Sequence, residues 1–147
     1  MKILFYVILI MSIFLVACSN DDKQAAEGSA PIVDITKIAG KSQKDVTAYL
    51  GKEISCEKSK YGKKCQYEKG ETTVVFIESE ADWITVGGID DVKFSKFALI
   101  ALGLTQERPS FENDFTLKWE SIQGLRSVSV FKGASKSDYA YIKVKTK

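Results

Sequence analysis

The strongest constraint on the fold is a series of short β-branched and aromatic runs, each ended within a few residues by glycine or a polar turn. Lys64 to Glu68 alternates, with Cys65 and Tyr67 on one side and Lys64, Gln66 and Glu68 on the other. Gly70 marks a turn, Thr72 to Ile77 is β-branched and aromatic, Ser79 to Ala81 marks a second turn, and Trp83 to Val86 returns. Strands with so little chain between them must pair as antiparallel neighbours, because parallel ones need a crossover of about a dozen residues or more. The same grammar recurs in Phe115 to Glu120, Ser127 to Lys132 and Tyr139 to Lys145, with Gly124 and Gly133 in the turns.

Two helical patterns precede these runs. Ser42 is placed to cap a helix that carries Asp45 at the capping-box position, shows Val46, Tyr49 and Leu50 on one face, and stops at Gly51. A helix this short is marginal alone and must dock on the sheet. The second pattern runs from about Val92 to Leu102, with Phe94, Phe97, Ala98 and Ala101 at helical spacing, and stops at Gly103. Asp90-Asp91 just before it reads as an N-terminal cap rather than an acid/base pair. Ile32 to Ile38 reads as an edge strand or an extended lead-in, and Gln106 to Asn113, which contains Pro109, as a loop.

The two halves resemble each other. Tyr49-Leu50-Gly51 answers to Ala101-Leu102-Gly103, Tyr67-Glu68 to Trp119-Glu120, Val75-Phe76 to Val130-Phe131, and Asp82-Trp83 to Asp138-Tyr139, in the same order and at slowly growing offsets. The expected fold class is α+β. Two tandem helix-plus-three-strand units, about 38–88 and 90–147, would form an antiparallel sheet packed by short helices. The other reading is one α+β domain whose halves are alike only because both alternate helices and hairpins.

Chemistry is narrowed by what the chain lacks. It contains no histidine, which removes the commonest general base and zinc ligand, so neither a catalytic constellation nor a metal or cofactor site is expected. From residue 18 onward, 20 basic groups (21 less Lys2) face 19 acidic ones, too even a balance for a nucleic-acid binder. Glu78, Glu80 and Asp82 crowd one turn but lack a calcium loop and read as solvated. Lys58 to Lys64 reads as a solvated, lysine-rich hairpin loop, with contact to anionic headgroups as the alternative.

The N-terminus carries an address. Lys2 precedes an apolar run from Ile3 to Val16, too short for a typical spanning helix but suited to a secretory signal. Leu15-Val16-Ala17-Cys18 at its end resembles the bacterial lipobox, which implies removal of residues 1–17 and acylation of Cys18. Ser19, rather than Asp, follows the cysteine and resembles the outer-membrane sorting default, so a lipid-anchored envelope protein facing the periplasm is expected. Residues 18–31 are polar and small and read as a flexible tether to a domain over 32–147. In such an oxidising compartment the remaining pair, Cys56 and Cys65, is expected to form a disulfide.

The first unit also carries a family likeness. Ile38-Ala39-Gly40-Lys41-Ser42, Asp45-Val46, Leu50-Gly51, the aromatic strand at Tyr67 and Val75-Phe76 resemble the SmpA/OmlA-type small outer-membrane lipoproteins. The two-unit layout resembles the β-lactamase-inhibitor-like fold. Glu53 stands where that family usually has proline, and the Cys56–Cys65 pair is outside its usual pattern. The resemblance implies an envelope location and a protein partner, such as an outer-membrane assembly machine. An inhibitor of an envelope enzyme and a prophage-type surface exclusion factor are the alternatives.

Strand parity locates a binding face. Ala140, Ile142 and Val144 point one way, with Ile84 and Val86, while Tyr139, Tyr141, Lys143 and Lys145 point the other, with Trp83 and Thr85. Trp83, Tyr139, Tyr141 and Lys143 therefore form the candidate partner-binding surface, since Trp and Tyr dominate interface hot spots. Cross-strand pairs that only stabilise an exposed sheet are the alternative. Trp119, which shares parity with Phe115 and Leu117, is assigned to the core.

Overall fold

The computed structural model describes residues 30–146. The expected signal sequence, Cys18 and the expected tether up to residue 29 lie outside the described residues. Eight strands form a single antiparallel sheet: β1 (Glu53–Ser59), β2 (Gly62–Tyr67), β3 (Thr72–Ile77), β4 (Glu80–Val86), β5 (Phe111–Glu112), β6 (Thr116–Ile122), β7 (Leu125–Lys132) and β8 (Ser137–Lys143). Their spatial order is β1-β2-β3-β4-β8-β7-β6-β5, so the last strand of each half meets the other at the centre. Two short helices, α1 (Gln43–Leu50) and α2 (Ala98–Ala101), accompany the sheet. The architecture is thus mostly β, more so than the α+β expectation, and each half supplies four strands instead of three.

Helix α1 has the expected boundaries for the expected reasons. The Ser42 hydroxyl accepts from the Asp45 N–H at 3.3 Å and donates to the Asp45 carboxylate at 2.7 Å. Val46 and Leu50 are buried, and the helix ends at Gly51. The second helix is far shorter than its pattern predicts. The Val92 carbonyl is taken by the Ser137 N–H at 2.9 Å, and the Ser95 hydroxyl accepts from the Phe97 N–H at 3.4 Å. These bonds divert the backbone before a helix can propagate, as local serine bonds do. Consequently Asp90-Asp91 caps nothing. Asp91 instead accepts from Lys136 at 3.0 Å on the surface.

The lead-in forms no strand: it bends at Ile32 and Val33 and ends in a 3-10 turn over Ile35–Lys37, which Asp34 caps. It ties the first half to the second, because the Ile32 and Ile35 N–H groups donate to the Ala101 and Leu102 carbonyls, both at 2.9 Å. Gly103 permits this approach: its φ is +71°, and a Cβ there would sit 2.8 Å from an Asp34 carboxylate oxygen. Val33, Ile35, Ile38, Leu99 and Leu102 are fully buried with Val46, Val74, Ile84, Val128, Val130 and Ile142 in one core on one side of the sheet.

Strand β1 escapes a hydrophobic pattern because it is an edge strand with nearly every side chain exposed. Its register is set by Cys56, which stands directly opposite Cys65 and is disulfide-bonded to it. At the hairpin end Gly62, with φ +153°, lets β2 pass close to β3, since a Cβ there would lie 2.1 Å from the Phe76 carbonyl oxygen. The β3–β4 turn centres on Glu78 and Ser79, both at positive φ, one residue earlier than expected. Two other expectations fail on geometry. Phe115 lies just before β6 and is 71% exposed, so parity with Leu117 does not bury it. Val75 and Phe131 lie on the open face while Phe76 and Val130 are buried, so the Val75-Phe76 and Val130-Phe131 match joins opposite faces.

Glu53 fastens α1 to the first hairpin. Its carboxylate accepts from the Thr47 hydroxyl at 2.5 Å and from the Gln43 amide at 2.8 Å. The Thr47 bond, then the Gln43 bond, hold its pKa down from 4.5 to about 2. A depressed carboxylate stabilises the fold fully above the unfolded value and loses that contribution as pH falls towards the folded one. The thermal midpoint is therefore expected to fall between about pH 4.5 and about pH 2, and Glu53→Gln to flatten that part of the profile. Circular-dichroism melts across this range check it; parallel profiles would show that the network adds no pH-dependent stability.

Candidate functional site

The side of the sheet away from the core presents the expected residues in cross-strand rows. Trp83 of β4 is opposite Lys143 of β8, which is opposite Ser127 of β7, which is opposite Glu120 of β6. The next row runs Thr85, Tyr141, Ser129, Lys118 and Phe111. A third row holds Tyr139, Phe131 and Thr116. All four residues of the expected surface thus share one face. They form a diagonal: Trp83 and Lys143 are neighbours, Tyr141 lies one row on, and Tyr139 one row beyond that.

The four differ in how freely they are presented. The Trp83 ring packs on Tyr61 at 4.6 Å between centroids, and its indole N–H donates to the Thr146 hydroxyl. It is half-buried by its own chain, so structural pairing accounts for much of its environment. Asp82, only 5% exposed, holds the same tail by accepting from the Lys145 and Thr146 N–H groups at 3.0 and 3.2 Å. Tyr139 stacks on Phe131 at 4.7 Å and remains exposed. Tyr141 is half-buried, with Lys143 above its ring at 5.9 Å. Burial, then the Asp82 charge, pushes the Tyr141 phenol upward, so it stays a hydroxyl donor near neutral pH.

Short side chains hollow this face between β6 and β8. A basin of about 430 Å³ is lined by Ser121, Ser127, Ser129, Lys118, Glu120, Arg126, Tyr141 and Lys143. Ser127 and Ser129 are only 9% exposed because longer neighbours flank them in both rows. Lys118 donates to Glu120 at 2.6 Å. That bond and the Lys118 charge, aided by Arg126, hold the Glu120 carboxyl below its usual value, so it is ionised near neutral pH. Three cations against one carboxylate leave the lining positive by two charges.

Strand parity places Tyr139, Tyr141, Lys143 and Trp83 on one face but does not reveal the basin they border. Its signal was present in Ser127-Val128-Ser129-Val130, where serine alternates with valine in a strand otherwise bulky on both sides. Trp119 is buried as expected, and its indole N–H donates to the Glu107 carbonyl at 3.0 Å. The acidic turn stays solvated at Glu78 and at the exposed Glu80–Lys145 pair, while Asp82 is buried and holds the tail. Among the described residues no group of three or more potential ligands is arranged to hold a metal, and no helix is long and apolar enough to cross a membrane. Comparison with known protein families, with curated proteins and with solved structures finds no match for this chain.

Proposed function

We propose that this chain is a lipoprotein, anchored through Cys18 in the outer membrane and facing the periplasm, whose domain binds another envelope protein and catalyses nothing. The observation that supports it best is the asymmetry of the sheet. The core and both helices occupy one side, while Tyr139, Tyr141, Lys143 and the Phe131 stack stand together on the other. Aromatic anchors on a rigid strand surface are what a protein interface uses. An inhibitor of an envelope enzyme or a surface exclusion factor would use the same face and differ in the partner held.

In the same reading the domain is a tandem of two units, as in the SmpA/OmlA-type and β-lactamase-inhibitor-like resemblance. Trp83 pairs with Val75 in the first half and Tyr139 with Phe131 in the second, both at an offset of 56 (139 − 83 and 131 − 75). At the seam Thr85 lies directly opposite Tyr141, again 56 apart (141 − 85), as a twofold relation between the units requires. Sheet duplication doubles the width of the open face and gives the partner a platform across both units.

The double variant Tyr139→Thr and Tyr141→Thr puts strand-favouring β-branched side chains in place of both rings. It is expected to lower capture of the envelope partner by about tenfold or more while shifting the thermal midpoint by roughly 6 °C or less. Full capture by this variant, or a collapse of stability with it, would count for rings that serve only the sheet.

A further inference from the structure

We infer that the serine-floored basin of the second half seats an acidic side chain, an Asp or Glu carried on a loop of the protein partner. This deepens the protein-binding reading above and rests on it. The lining offers Lys118, Arg126 and Lys143 against Glu120 alone. With Glu120 already matched to Lys118, an incoming carboxylate meets two further cations at the basin's margins. Ser127 and Ser129 supply hydroxyls at the floor, and the Tyr141 phenol, kept protonated by its burial, supplies a third. Hydroxyl and ammonium donors converging on one acceptor form the charge-assisted bonds that make a carboxylate site specific.

Charge complementarity selects this occupant over a neutral one. The other hollows are less positive: that beside α2 sets Lys96 and Arg108 against Glu107 and Glu112, that beside β3 carries Glu68 and Glu71 with no cation, and that beside α1 sets Lys44 and Lys63 against Glu78. On the first half of the open face, Lys64 of β2 is paired with Glu57 of β1 at 3.3 Å. Positive charge is therefore concentrated where the small side chains also create depth. The neighbouring rings, Tyr139 on Phe131 and exposed Phe111, add apolar contact beside the anion site. The fitting segment is acidic with an apolar flank.

The test is an NMR titration of the full chain in detergent, following the amides of Ser127, Ser129, Tyr141 and Lys143. The probes are an amidated tetraglutamate peptide, its tetraglutamine counterpart, inorganic phosphate and phosphatidylglycerol nanodiscs. Tetraglutamate is expected to shift these amides, with affinity that falls as salt rises, while tetraglutamine leaves them unmoved. Arg126→Gln with Lys143→Gln should weaken tetraglutamate binding by about tenfold or more. Shifts that are absent, that tetraglutamine reproduces, or that survive the double substitution would overturn the inference. Saturation by phosphate or nanodiscs, with none by the peptide, would overturn it in favour of a headgroup site. Partner capture that persists undiminished in Arg126→Gln/Lys143→Gln, but is lost in Tyr139→Thr/Tyr141→Thr, would refute the carboxylate seat alone and leave the protein-binding face standing.

Discussion

Trp119→Ala is expected to cost about 3–5 kcal/mol and lower the thermal midpoint by roughly 12–20 °C. The indole is 1% exposed on β6, with core residues Leu117 and Val128 as strand and cross-strand neighbours. Truncation removes its packing and leaves a cavity that β6, fixed between β5 and β7, cannot close. It also releases the Glu107 carbonyl and with it the loop leading into β5. Trp119→Phe separates these effects: most of the volume stays, the N–H is lost, and the expected cost is about 1–2 kcal/mol. Denaturant melts of both variants check the ordering. Equal costs would mean that the indole N–H, not its volume, is the important group.

Replacing Cys56 and Cys65 together by alanine is expected to cost about 2–3 kcal/mol, the entropy of opening a nine-residue separation. Its reach should be local. Strand β1 has one paired neighbour, β2, and exposed side chains along nearly its whole length, so little else holds it. Ile54, 67% exposed, contributes almost no burial. Hydrogen exchange should therefore quicken in β1 and around the Gln43–Glu53 contact while β6, β7 and β8 keep their protection. Uniform loss of protection across the sheet would show that the edge strand and the far half unfold as one unit.

How far the sequence foretold this fold depends on how much each element relies on its own residues. Helix α1 was legible to the residue because Ser42 and Gly51 carry their instructions locally. Strand β3 was equally legible, since Thr72–Ile77 alternates buried and half-buried throughout. Strand β1 was not: Glu53–Ser59 has no apolar period, and only the opposition of Cys56 to Cys65 defines its register. The second helix was over-read because spacing in Phe94, Phe97 and Ala101 cannot reveal that β8 takes the Val92 carbonyl.

The candidate surface shows the same division. Alternation alone put Tyr139, Tyr141 and Lys143 on one face, and β8 has that face. It could not show that Trp83 would be covered by Tyr61 from a hairpin tip and by Thr146 from the tail, both distant in sequence. Nor could it assemble a basin whose lining comes from β6, β7 and β8, because cross-strand neighbours become visible only once the register is known.

The central claim is that the open face, and not the helix-covered side, meets a protein in the envelope. Photo-crosslinking in intact cells tests it most directly, with a photoreactive residue at position 139 on the face and a control at exposed Lys44 on α1. One discrete protein adduct from position 139 and none from position 44 is the predicted result. Adducts of equal strength at both positions, or none at either, would contradict it.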